Sequence, residues 1–132
     1  MCGVKADLGK VDMPVFILAT REDHIVPWKT SYLGRNLLGG KTTFVLGASG
    51  HIAGVINPAA KNKRSHWVSD SDAADPDEWL AGATEAKGSW WPHWAEWLKS
   101  FADGEVAARG RLGNKAYPPS EPAPGRYVKE KA

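Results

Sequence analysis

Two short apolar runs, each cut off by a loop that carries a titratable side chain, constrain this chain more than any other feature. Pro14-Val15-Phe16-Ile17-Leu18-Ala19-Thr20 is continuous and rich in β-formers, which suits a strand buried on both faces as in a parallel sheet. It stops abruptly at Arg21-Glu22-Asp23-His24, with Pro27 close behind. Trp28, Tyr32, Leu33 and Leu37 then recur at helical spacing, and Gly39-Gly40 ends that helix. Thr42-Thr43-Phe44-Val45-Leu46 is the second run and stops at Gly47-Ala48-Ser49-Gly50-His51. Strand, loop, helix, strand, loop is one right-handed crossover unit of a parallel sheet.

Beyond residue 57 no further strand is expected. Two strands do not make a stable open sheet by themselves. The expected fold is therefore the C-terminal part of a larger α/β domain: its last parallel strands plus helices, with the sheet incomplete. Asn57-Pro58 opens a loop containing Lys61, Lys63 and Arg64. Asp75-Pro76-Asp77-Glu78 predicts a helix start, with an acid to cap it, proline at the first helical position and acids in the first turn. Trp91-Pro92 opens another helix, expected to run to about Asp103 before Gly104 stops it. Its Trp94, Trp97, Leu98 and Phe101 form one stripe at i, i+3, i+4 and i+7, the spacing of a face packed on a core.

Charge and proline divide the chain. Residues 105–132 hold six basic and three acidic side chains and four prolines, at 118, 119, 122 and 124. We read 1–104 as the folded part and 105–132 as an extended, basic, Pro-rich tail. The whole chain has 17 Lys+Arg against 15 Asp+Glu, a net +2 that gives no argument for nucleic acid. No run of about 18 apolar residues is available for a transmembrane span. Met1-Cys2-Gly3-Val4-Lys5 has no apolar stretch behind a basic head, so no secretory signal is expected there. The single cysteine can make neither an internal disulfide nor a CxxC metal site, which points to a reducing compartment.

In open α/β sheets the chemistry sits just beyond the carboxyl ends of strands. Asp23 follows the first strand and His51 the second, so both loops are expected at one edge. A carboxylate that fixes an imidazole tautomer, and an imidazole that takes a proton from a Ser or Cys nucleophile, is the hydrolase arrangement in which Asp precedes His. The same two residues also fit a plain loop acid and a satisfied loop histidine. No G-x-[SC]-x-G elbow occurs. Ser49 is followed by Gly50-His51 rather than by the elbow's pattern, and Cys2 has no elbow around it, so neither is read as a nucleophile.

The strings Arg21-Glu22-Asp23-His24-Ile25-Val26-Pro27-Trp28 and Phe44-Val45-Leu46-Gly47-Ala48-Ser49-Gly50-His51-Ile52-Ala53-Gly54-Val55-Ile56-Asn57-Pro58 carry a resemblance. So do Lys61-Asn62-Lys63-Arg64-Ser65-His66-Trp67, Gly88-Ser89-Trp90-Trp91-Pro92 and Glu121-Pro122-Ala123-Pro124-Gly125-Arg126-Tyr127-Val128-Lys129. Nearly the whole chain resembles the C-terminal part of class I polyhydroxyalkanoate synthases. That resemblance implies a cytoplasmic acyltransferase of α/β-hydrolase fold, without a cofactor or metal, that polymerises (R)-3-hydroxyacyl-CoA into polyester and releases CoA. It further implies work at the polyester granule surface, and a homodimer when complete. By the same resemblance the catalytic Asp maps onto Asp23 and the catalytic His onto His51. The family's nucleophilic Cys belongs to an upstream box that has no counterpart here, so this chain alone is expected to be inactive.

Other residues have plainer readings. His24 could meet substrate or simply shape its loop. Asp23, His24, His51 and His66 lack the spacing of a zinc site. Lys61, Lys63 and Arg64 could meet CoA phosphates or form a solvated loop. Trp90, Trp91, Trp94 and Trp97 could form a platform for polymer or sugar, but core spacing favours helix packing. The rival functions are the end of another α/β hydrolase, such as an esterase or depolymerase, and a non-catalytic piece that binds polyester granules.

Overall fold

The computed structural model describes residues 2, 3 and 5–131. Met1 and Val4, part of the stretch read for a secretory signal, lie outside the described residues. The chain divides into two units, Met1–Phe101 and Ala102–Ala132.

The first unit is built on β1 (Val15–Thr20), α1 (Trp28–Gly34) and β2 (Thr42–Gly47). β1 and β2 pair in parallel, with Val15 opposite Thr42 and Thr20 opposite Gly47, as one crossover helix between two apolar runs requires. α1 tightens into a 3-10 turn over Arg35–Leu37 before the chain reaches Gly39-Gly40. Two further strands correct the expectation that the sheet ends at residue 57. β3 (Ser65–Val68) pairs antiparallel with β2, and β4 (Thr84–Lys87) pairs antiparallel with β3. The sheet is therefore four-stranded, open and mixed, in the order β1-β2-β3-β4, rather than a pair of parallel strands. Both added strands are four residues long, and Thr-Glu-Ala-Lys at the edge shows three of its four side chains to solvent. An edge strand of that kind has no apolar pattern to announce it.

Alternation along the strands sorts the two faces. Ile17, Ala19, Phe44, Leu46 and Trp67 share one face, where registers Ile17–Phe44, Ala19–Leu46 and Leu46–Trp67 place them side by side. That face is covered by Trp28 and Tyr32 of α1 and by Trp79 of α2 (Pro76–Ala81). Tyr32, Phe44 and Trp79 pack as mutually tilted or edge-on rings, with centroids 5.0–5.5 Å apart. α2 begins as its sequence demands: Asp75 accepts from the amides of Asp77 and Glu78, and Pro76 occupies the first turn.

Phe16 points to the other face, toward α3 (Trp91–Lys99) and the Trp90 before it. α3 ends at Lys99, not near Asp103. The stripe is also not core: Trp94, Leu98 and Phe101 are 40%, 43% and 53% exposed, and only Trp97 turns inward, against Phe16 at 5.4 Å. The spacing marks an apolar face correctly, but this face is left largely uncovered. Among the described residues no helix is long and apolar enough to cross a membrane.

The second unit holds a 3-10 turn, Tyr127–Lys129, and local ties: the Asn114 side chain accepts from the amides of Ala116 and Tyr117, and Glu121 meets Arg126 at 3.3 Å. Its side chains are almost all exposed.

Candidate active site

Because β1 and β2 run parallel and end level with each other, the loops that follow them leave at the same edge of the sheet. Pairing continues past the strands. The Arg21 amide donates to Gly47 O at 2.8 Å and the Glu22 amide to Ser49 O at 3.0 Å. Ser49 takes a left-handed φ of 76°, which turns the chain back two residues before His51. A non-glycine residue held there costs of order 1 kcal/mol, repaid by the surrounding contacts.

Asp23 uses both carboxylate oxygens. Oδ1 accepts from the amides of Ile25 and Val26, each at 2.9 Å, which ties the acid into its own loop. Oδ2 lies 2.8 Å from His51 Nδ1 and 3.5 Å from Thr20 Oγ1. A carboxylate accepts only, so the proton of this contact sits on Nδ1 and leaves Nε2 as the basic nitrogen. The Val26 amide, helped by His51 and the Ile25 amide, outweighs the cost of desolvation and lowers the Asp23 carboxyl from 3.8 to about 2. The Asp23 side chain is only 8% exposed, whereas that of His51 is 44% exposed. The pair is thus a sheltered acid, ionised at neutral pH, behind an accessible imidazole.

A pocket of about 200 Å³ opens beside the pair, lined by Leu18, Val26 and Val55 as well as Thr20, Asp23 and His51. Exposed Ile25, Ile52 and Ile56 lie on the same two loops. The larger cavities lie elsewhere: one of about 580 Å³ is lined by Arg35, Lys41 and Asp72 and contains neither member of the pair.

The other sequence candidates separate from this site. His24 is exposed and does not line the pocket. His66 is buried in β3, with Nδ1 3.2 Å from Gly88 O. Among the described residues no three His, Cys, Asp or Glu side chains gather as metal ligands. Cys2 is exposed, and Lys61, Lys63 and Arg64 are exposed on the loop leading to β3.

Sequence reasoning missed the supports. Thr20, 1% exposed at the end of β1, reaches Asp23 with its hydroxyl and packs its methyl toward Gly54. A Cβ on Gly54 would lie 2.5 Å from Thr20 Cγ2 and 2.6 Å from Ala48 O, so only glycine fits there. Trp90 and Trp91 donate their indole N–H groups to Gly54 O and Val55 O, at 3.2 and 3.0 Å. The available signal was a Trp pair at a helix start, since buried indoles seek acceptors.

Over its whole length the chain is 58% identical to the poly(3-hydroxyalkanoate) polymerase subunit of Cupriavidus necator, of which it spans 22%. It is 44% identical over 135 aligned residues to the corresponding subunit of Rhizobium meliloti, spanning 21% of it. A poly(3-hydroxyalkanoate) polymerase of Methylorubrum extorquens is 46% identical over 98% of the chain. The chain therefore spans about a fifth of the length of these relatives. No protein-family profile matches it.

Proposed function

From a chain homologous throughout to the C-terminal portion of the poly(3-hydroxyalkanoate) polymerases, we propose that Asp23 and His51 are the acid–base half of a thioester acyl transfer. The observation that carries this is the 2.8 Å contact between Asp23 Oδ2 and His51 Nδ1, backed by two amides on Oδ1. In this reading the fold is the end of an α/β-hydrolase domain, and the substrate is a 3-hydroxyacyl-CoA. His51 Nε2 takes the proton of a cysteine thiol supplied by polypeptide beyond this segment. The thiolate adds to the thioester carbonyl, and the CoA sulfur leaves with a proton returned by the imidazolium. In the next step the 3-hydroxyl of another unit attacks the acyl thioester and loses its proton to a base; the ester C–O bond forms as the acyl C–S bond breaks, and the cysteine sulfur leaves as the thiolate. That base is His51 rather than Asp23: a carboxylate held at about 2 and saturated with hydrogen bonds is a poor proton acceptor. The apolar pocket and the isoleucines beside it suit an acyl chain better than a charged group.

The test exchanges this segment for its counterpart in the Cupriavidus necator relative and measures CoA release from (R)-3-hydroxybutyryl-CoA. The exchanged enzyme turns over, and His51→Gln abolishes it; full activity in His51→Gln would refute the reading. The 132-residue chain alone releases no CoA. Release that disappears on Cys2→Ser would place the nucleophile in this segment instead.

A further inference from the structure

We propose that Trp90 and Trp91 are positioning residues that hold the His51 turn in register with Asp23 through their indole N–H groups, an inference that rests on reading His51 as the base. His51 sits at the head of a single irregular turn. The Gly54 amide donates to Gly50 O and the Ile56 amide to Ile52 O, both at 2.8 Å. Such a turn ends in carbonyls with no partner further along the chain. Gly54 O is such a carbonyl and takes the Trp90 indole N–H at 3.2 Å; Val55 O accepts from the Asn57 amide at 3.0 Å and takes the Trp91 indole N–H as a second donor, also at 3.0 Å. Gly54 is buried while His51, Ile52 and Ala53 are exposed, so the turn is anchored at its base and open at the end that carries the imidazole.

The indoles are themselves fixed. Trp90 stacks on Phe16 of β1, with centroids 6.3 Å apart, and β1 is the strand whose end delivers Asp23. Trp90 therefore links the strand that places the acid to the turn that places the base. The peptide leading into the pair is locked as well. Ser89 is buried; its hydroxyl donates to Asn57 O and accepts from the Trp91 amide, while its own amide donates to Asn62 Oδ1 at 2.9 Å. Gly88 takes φ 98°, and a Cβ there would lie 2.1 Å from Asn62 Oδ1, so this approach admits only glycine. Asn57 completes the tie by donating to Lys63 O at 2.6 Å. Segments 54–63 and 88–91 are thus bound by named hydrogen bonds at both ends.

The experiment follows the His51 Nδ1–H proton by NMR in the full 132-residue chain labelled with ¹⁵N-histidine. Trp→Phe keeps a ring and removes the donor. Trp90→Phe with Trp91→Phe is expected to speed solvent exchange of that proton roughly tenfold, the effect of about one lost net hydrogen bond. The Gly54 amide accelerates alongside it, whereas the Val26 amide, bonded to Asp23, does not. Trp97→Phe removes an indole from the same helix without touching the turn and leaves His51 unchanged. An unchanged His51 proton in the double variant, or equal acceleration in Trp97→Phe, overturns the proposal. Should the double variant fail to fold, Trp90→Phe alone, which removes the indole donor of Gly54 O, is read the same way, with a several-fold acceleration expected and no change counting against it. The signal is read without substrate or turnover. A failure here therefore leaves the acyl-transfer reading standing, and a failure of that reading leaves the indole clamp standing.

Discussion

Asp23 is held by more groups than a surface acid needs. Its carboxyl lies near 2 chiefly because the Val26 amide donates to it, with His51 contributing less. Removing His51 should therefore raise the Asp23 titration only part of the way to 3.8, a result that carboxyl NMR of His51→Ala would show; a full return to 3.8 would mean that the loop amides do not hold it. The sign for stability follows from the same direction. A lowered folded value adds stability above 3.8 that is lost as pH falls through about 2, so Asp23→Asn should flatten acid unfolding in that window. At this scale the sequence was informative about types and silent about supports. An acid after one strand and a histidine after the next identify a pair, because parallel neighbours share an edge. Nothing in the string shows that Gly54, its contact with Thr20 or two indoles complete it, since those contacts join residues 30 or more positions apart.

Among elements, those with strong local chemistry were legible. The start of α2 could be read directly because a capping acid, a proline and first-turn acids all act within one turn. Asp75→Ala should cost about 1 kcal/mol in a denaturant melt, since it orphans the amides of Asp77 and Glu78. A cost near zero would show that the cap adds nothing. β3 and β4 were not legible. Ser-His-Trp-Val forms a strand on the free edge of β2 and Thr-Glu-Ala-Lys on the free edge of β3, so pairing rather than propensity decides them. α3 shows the converse error: its apolar spacing is real, but a stripe reports an apolar face and not what covers it. Trp79, by contrast, is packed to 1% exposure against the other face of the sheet, and Trp79→Ala should cost about 3–5 kcal/mol, enough to unfold a marginal chain.

For the molecule as a whole, apolar side chains left in water are the dominant feature beside the paired site. Ile52, Ile56, Ile25 and Phe101 are all more than half exposed, so the chain should bind a hydrophobic dye at neutral pH and self-associate. A sharp melt of a monomer without dye binding would contradict that. His93, packed by α3 toward His66, is shifted down by burial first and then by His66, against an opposing pull from Asp70. Its neutral form is the folded form, so stability is complete above 6.5 and falls as pH drops below it; His93→Gln should remove that slope. The central claim, that Asp23 orients His51 for acyl transfer, is tested most directly by Asp23→Asn in the segment-exchanged polymerase. Asparagine can present its amide to Nδ1 and stabilise the wrong tautomer, so kcat for CoA release should fall about 10³–10⁴-fold with KM little changed. An Asp23→Asn enzyme that turns over as fast as its parent would contradict it.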